Sequence, residues 1–143
     1  MFINQLLKTK GSDVFTVTPD ETLQSIAALL HTRRVGAFVV TDRVGRVAGV
    51  ISERDIIRAV ATSGAASLML PVSEFMTRDV IFARLGETLD ALLERMTDRR
   101  IRHLPVMDDQ KLVGIVSIGD LVKAKIAMAV QEAETLKNYI LVG

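Results

Sequence analysis

Two spaced motifs are the first candidates for chemistry. Ser52-Glu53-Arg54-Asp55 and Ser117-Ile118-Gly119-Asp120 each set a hydroxyl and a carboxylate three residues apart, ahead of an apolar run. That spacing is a helix start, with the serine capping the first turn and the acid reaching back to the serine backbone. The other titratable candidates are weaker. The chain has two histidines. His31 follows Leu30 on an amphipathic run and reads as structural. His103 lies just before an apolar run, and no carboxylate is spaced to make it a general base. Taken with Asp108 and Asp109 it matches no familiar set of metal ligands, and an Asp-rich turn accounts for those two residues. With no cysteine there is no thiolate ligand, cysteine nucleophile or disulfide. No catalytic residue and no metal are therefore expected, and the missing cysteines agree with a reducing compartment.

Bulk properties narrow the class further. Of the 143 residues, 49% are hydrophobic and 4% aromatic, so the core must be aliphatic. Eighteen basic residues against 17 acidic ones leave a net charge of +1. A duplex-DNA binder normally carries a basic excess that neutralises phosphates, so nucleic acid is not an expected partner. No apolar run reaches the roughly 18–20 residues that a membrane helix needs. The opening Met1–Lys8 does not read as a secretion signal. A cytoplasmic protein without membrane contact is the expectation.

The elements that position the two motifs are written twice. Asp13 to Asp42 aligns with Asp79 to Asp108, and Arg46 to Ile57 aligns with Lys111 to Val122 after a one-residue gap. Glu21-Thr22-Leu23 recurs as Glu87-Thr88-Leu89, and Arg33-Arg34 as Arg99-Arg100. Leu23, Ile26, Ala27 and Leu30 occupy one helical face, as do Leu89, Leu92, Leu93 and Met96. Thr18-Pro19-Asp20-Glu21 reads as a capping box with proline at the first helical position. Arg84-Leu85-Gly86-Glu87 lacks it, so the second helix is expected to begin less sharply. The arginine pairs close these helices at the negative end of the dipole.

Ala37–Val40 and Val47–Ile51 then read as a hairpin, as do Leu104–Met107 and Leu112–Val116. Both hairpins are nearly all apolar, which implies cover on both faces. A second helix starts at Ser52 and again at Ser117. Each β-α-β-β-α unit is too small to close a stable core alone. The expected fold is thus α/β, with two repeats packed as one pseudo-two-fold module. In chain order, residues 1–66 hold the N-terminal segment and the first repeat, 67–126 the second repeat, and 127–143 an extension of the last helix. Thr62–Ser67 is a small-residue linker. From Leu121 to Ile140 neither Gly nor Pro interrupts a long helix. Its Val122, Ile126, Ala129, Ala133, Leu136 and Ile140 form a heptad-like seam. Packing on its own domain and a dimer contact are both open readings of that seam.

The repeated order, together with Glu74–Val80, Arg100–Val106, Leu112–Leu121, Arg34–Ala37 and Gly49–Asp55, resembles a tandem CBS-domain pair. The domain is named after cystathionine β-synthase, and the likeness is greatest to bacterial stand-alone pairs. The resemblance implies a non-catalytic regulatory module that binds an adenine nucleotide (AMP, ATP or NAD(H)) in a cleft between the repeats. It implies ribose binding by Asp55 and Asp120, beside the reading of both as capping residues. It implies phosphate contacts from Ser52, Arg54, Ser117, Arg102 and His103. Adenine contacts fall on Val14, Val35, Thr77, Val80 and Ile101. Arg102 and His103 correspond to Gly36 and Ala37, so the two sites are not equivalent. A homodimer and an effector protein that receives the signal complete the expectation. The alternative is a constitutive interaction module with vestigial clefts.

Overall fold

A threonine sets the start of the first helix in each repeat. In the computed structural model, which describes residues 1–11 and 14–142, Thr22 and Thr88 are the N-caps of α2 (Leu23–Arg33) and α4 (Leu89–Arg99). Their hydroxyls accept from Ser25 N–H at 3.1 Å and from Ala91 N–H at 3.2 Å. The capping box expected at Thr18–Glu21 is instead a turn ahead of the helix. There the Glu21 carboxylate accepts from Thr18 N–H, and Glu87 accepts from Arg84 N–H in the same way. The second helix therefore begins as sharply as the first. Each threonine satisfies one orphan N–H of its first turn, and Pro19 lies outside the helix. Both helices end on the second arginine of a pair, Arg34 and Arg100, each left-handed with φ of 55°.

The strands pair identically in the two repeats. β1 (Thr16–Val17) runs parallel to β2 (Ala37–Thr41), which pairs antiparallel with β3 (Val47–Ser52). β4 (Ala83–Arg84), β5 (His103–Asp108) and β6 (Lys111–Ser117) repeat that order. The hairpin register places Ala37 opposite Ser52 and His103 opposite Ser117, so each serine ends its sheet where a helix must begin. Those helices are α3 (Glu53–Ser63) and α5 (Ile118–Val142). The expected linker is ordered: Thr62 and Ser63 finish α3, and a 3-10 turn follows over Ala65–Met69. Ser67 is buried there, its hydroxyl donating to Gly64 O at 2.7 Å.

Chain order and packing differ. One compact unit is Asp13–Ile81, and the other joins Met1–Ser12 to Phe82–Gly143. The short segment ahead of each repeat packs with the other repeat, through matching hydrogen bonds. In the unit Asp13–Ile81, Val72 N–H donates to Glu21 O at 2.7 Å and Leu23 N–H to Leu70 O at 3.1 Å. In the other unit, Ile3 N–H donates to Glu87 O at 2.9 Å and Leu89 N–H to Met1 O at 3.2 Å. Ile3, in α1 (Ile3–Lys10), and Val72 are both fully buried. The next side chains inward, Leu7 and Met76, each cover a strand glycine. A Cβ on Gly114 would lie 2.7 Å from Leu7 Cδ2, and one on Gly49 would lie 2.8 Å from Met76 Sδ.

Each unit has an aliphatic core. Leu23, Ile26, Leu30, Val40, Ile51, Val72 and Met76 form it in Asp13–Ile81, with Phe38 among them. In the other unit Ile3, Leu89, Leu92, Met96, Leu104, Val106, Val116 and Leu121 are buried. At roughly 1.5–3 kcal/mol for each large side chain taken out of water, these residues dominate the folding energy. Helix α5 leaves its core early. Leu121 and Ala124 are buried, whereas Ala129 and every residue from Val130 to Val142 are exposed. Packing of the far tail on its own domain is not observed among the described residues.

Candidate functional site

The two Ser-x-x-Asp motifs sit at the junction of the last strand and the following helix in their repeats. Ser52 is the N-cap of α3, and its hydroxyl accepts from Asp55 N–H at 3.3 Å. Asp55 Oδ2 reaches back to accept from Ser52 N–H at 2.9 Å and from Ser52 Oγ–H at 3.0 Å. In the second repeat Ser117 Oγ accepts from Asp120 N–H at 3.1 Å, and Asp120 Oδ2 accepts from Ser117 N–H at 2.9 Å. Both motifs therefore form reciprocal capping boxes, one of the two readings that the spacing left open. These contacts fall on Oδ2; Asp55 Oδ1 meets the Arg58 guanidinium at 3.5 Å, and in both aspartates Oδ1 has lone-pair capacity beyond the cap. A carboxylate in that state can still accept hydrogen bonds from a vicinal diol.

Part of the donor capacity of each helix start is used internally. Glu53 N–H donates to Gly36 O at 3.0 Å, and Ile118 N–H to Arg102 O at 2.8 Å. Each helix is thereby fastened to the residue just before the repeat's central strand. With the capping bonds to Asp55 and Asp120, two N–H groups of each first turn are committed. The positive end of the helix dipole remains.

The surroundings of the two carboxylates differ. Asp55 is buried, and the exposed Arg58 guanidinium lies 3.5 Å from its Oδ1. Asp120 receives a cation from another element: Lys10, the last residue of α1, donates to Asp120 Oδ2 at 2.5 Å and to Ile115 O at 2.6 Å. Burial alone raises the Asp120 carboxyl, but the Lys10 hydrogen bond, the Ser117 N–H and the Lys10 charge outweigh it and hold it below the usual carboxylate range. Lys10 was not a candidate from sequence, because it stands 110 residues away from its partner.

The remaining candidates divide between the units. Ser52, Arg54, Asp55, Val14, Val35, Thr77 and Val80 lie in Asp13–Ile81, while Ser117, Asp120, Ile101, Arg102 and His103 lie in the other. The adenine set expected from Thr77, Val80 and Ile101 thus draws on both units. Arg54 and Arg102 are exposed, and His103 is half-buried at the start of β5. Val14, Val80 and Ile101 are half-buried, and Val35 and Thr77 exposed. Thr77 is held to β3 by paired backbone bonds with Val50, at 2.9 and 3.0 Å. Sequence reasoning gave Arg33 a helix-end role, with a phosphate-facing role also open; in the structure its guanidinium lies 3.5 Å above the ring of Phe15, which also packs on Phe38.

Among the described residues no group of three or more His, Asp or Glu side chains is placed to hold a metal. No described helix is long and apolar enough to cross a membrane. The β-α-β-β-α unit occurs twice, with Ser-x-x-Asp at the start of each closing helix. Residues 8–62 and 72–127 match the CBS domain, and the chain belongs to the CBS-domain family. A crystal structure of a CBS-domain containing protein from Agrobacterium tumefaciens superposes with a TM-score of 0.85 at 48% identity, covering 87% of this chain and 92% of that one. A CBS domain-containing protein of Bacillus subtilis is 34% identical over 79% of each chain. The CBS domain pair of a further protein, solved in complex with 5′-methylthioadenosine and S-adenosyl-L-methionine, matches at 25% identity with a TM-score of 0.80. That match covers 90% of this chain and 98% of that one.

Proposed function

We propose that this protein is a non-catalytic regulatory module that binds an adenine nucleotide, such as AMP, ATP or NAD(H), and signals to a partner protein. The observation that carries this reading is the paired Ser-x-x-Asp arrangement. In each repeat a carboxylate is fixed by its own helix cap and retains an acceptor oxygen beside a helix N-terminus. The ribose diol would bind at Asp55 and Asp120. The phosphates would meet the helix starts at Ser52 and Ser117, with Arg54 in the first repeat and Arg102 and His103 in the second. Val14, Val35, Thr77, Val80 and Ile101 would contact adenine. Support for an adenosyl ligand comes from the related pair solved with two such molecules.

The module works by linkage: a ligand shifts an arrangement only as far as it binds one state better than another. In this reading the protein is cytoplasmic and pairs as a homodimer. The exposed seam of α5, with Val122, Ile126, Leu136 and Ile140 on its surface, is available to a second copy or to the effector. Neither nucleic acid nor a membrane is a partner, and no reaction is catalysed.

A thermal-shift screen against AMP, ADP, ATP, NAD, NADH and S-adenosylmethionine tests the proposal. A ligand at roughly 100 times its dissociation constant stabilises the fold by about 2.7 kcal/mol, a rise of several degrees for a chain of this size. A rise that is lost in Asp120→Asn or Asp55→Asn supports it. The complete capping boxes favour one other reading, a constitutive interaction module in which both aspartates serve only to cap. That reading requires no shift with any ligand.

A further inference from the structure

The two repeats carry the same Ser-x-x-Asp motif, yet among the described ion pairs the Asp120 carboxylate alone is met by a cation from outside its own helix. Lys10 belongs to the segment contributed by the other end of the chain, and its ammonium bridges Asp120 Oδ2 and Ile115 O. The equivalent carbonyl in the first repeat, that of Val50, is taken by Thr77 N–H. The cation beside Asp55, Arg58, lies one turn along the same helix, and its side chain is 64% exposed. The Lys10 side chain is 33% exposed and that of Asp120 27%, so this pair is half-shielded from solvent. The Asp90–Lys125 and Glu87–Arg95 ion pairs of this unit do not involve Asp120.

An ammonium has three donors. Two are engaged, on Asp120 and Ile115, and the third is available to a group bound at the carboxylate. A lysine placed there responds to the charge of whatever the ligand carries next to its ribose. It makes a charge-assisted hydrogen bond to a phosphate. It gains nothing from an uncharged nucleoside, whose hydroxyls must share the carboxylate with it. It repels a sulfonium.

We propose that Lys10 is the specificity-determining residue of the second-repeat site, selecting an adenosine ligand with an anionic 5′ substituent over a neutral or cationic one. The first-repeat site at Asp55, with no such lysine, discriminates less. This inference rests on nucleotide binding at Asp120.

The test is calorimetric titration of the full chain with AMP, adenosine and S-adenosylmethionine, in the wild type, Lys10→Met and Lys10→Arg. Asp120→Asn, with and without Lys10→Met, isolates binding at the Asp55 site. In the wild type, the second-repeat site should prefer AMP to adenosine by at least tenfold and take S-adenosylmethionine most weakly. Lys10→Met, which keeps most of the aliphatic stem, should compress the AMP-to-adenosine ratio about tenfold and improve S-adenosylmethionine binding. Lys10→Arg should keep the preference for AMP. In the Asp120→Asn background Lys10→Met should leave the ratio unchanged. AMP binding whose ratio to adenosine is the same in wild type and Lys10→Met overturns the role of Lys10 and leaves the nucleotide reading standing. Failure of the wild type to bind any of the three overturns the role of Lys10, and failure to bind ATP and NAD(H) as well overturns the nucleotide reading with it.

Discussion

The two strand glycines offer a quantitative test of how the exchanged segments hold the repeats. Gly49 and Gly114 are equivalent residues of β3 and β6, both buried and neither with positive φ, so alanine at either position meets only a steric cost. The costs are not equal. A Cβ on Gly49 would lie 2.7 Å from Thr77 O, 2.8 Å from Met76 Sδ and 2.9 Å from Met76 Cγ. Thr77 O is backbone, fixed by its 3.0 Å bond from Val50 N–H, so that clash cannot be relieved by a rotamer change. A Cβ on Gly114 would lie 2.7 Å from Leu7 Cδ2 and 3.3 Å from Cδ1, both at the end of a flexible side chain.

Overpacking a core costs roughly 1–3 kcal/mol. Gly49→Ala belongs at the top of that range, about 3 kcal/mol, and Gly114→Ala at the bottom, about 1 kcal/mol. Urea unfolding of the two variants beside wild type measures the difference, provided the m-values agree. Double-mutant cycles sharpen it. Leu7→Ala should remove nearly all of the Gly114→Ala cost, whereas Met76→Ala should remove only part of the Gly49→Ala cost, because Thr77 O stays in place. Equal costs at the two glycines, or full rescue of Gly49→Ala by Met76→Ala, would refute the reasoning.

Four further outcomes are expected. Thr22→Ala and Thr88→Ala should each lower stability by about 1 kcal/mol through loss of a helix cap, with similar values in denaturant titrations because the two caps are equivalent. Arg34→Gly and Arg100→Gly should each stabilise the protein by about 0.5–1 kcal/mol, since glycine occupies the left-handed C-cap without a Cβ penalty; a loss of stability would show that the arginine side chains matter more than the backbone. Acid should weaken the fold through Glu87 and Asp120, two of the carboxylates held low. Glu87 is lowered chiefly by its hydrogen bond from Arg95, and Asp120 by Lys10 and Ser117 against the effect of burial. Their contribution is complete above the ordinary values of 4.5 and 3.8 and is lost as pH falls through the lower folded values. The free energy of unfolding should therefore drop between pH 5 and about pH 3, less steeply in Lys10→Met than in wild type. Sedimentation of Ile126→Glu and Leu136→Glu examines the proposed dimer: both should shift the chain towards monomer without changing its melting temperature in dilute solution.

The repeat, its helices and its hairpins were legible because each rests on local signals. Leu23, Ile26 and Leu30 mark a helical face, and the β-branched runs around Asp42–Arg46 mark a hairpin, within a few residues of one another. The Ser-x-x-Asp junctions were legible for the same reason. What the residues hid is non-local. Nothing near Ile3 or Leu7 indicates that they complete the core of a repeat some eighty residues further on. The bond between Lys10 and Asp120 has no trace in the spacing of either residue. Misplacement of the first helix cap has a different cause. Thr18 and Thr22 both precede an acceptable helix start, and only the paired turn formed by Glu21 and Glu87 shows that the later threonine is used. The role of Arg33 was half-read: its position at a helix end was visible, but its stacking on Phe15 depends on where β1 enters the sheet.

The measurement that bears most directly on the account is calorimetric titration of AMP into the wild type and into the Asp55→Asn/Asp120→Asn double variant, with matched melting curves as a check on folding. Nucleotide binding at the two caps predicts saturable heat in the wild type, with a stoichiometry of one or two per chain, and its loss in a double variant that still melts cooperatively. Undiminished binding in the folded double variant, or no binding of any adenine nucleotide by the wild type, would contradict it.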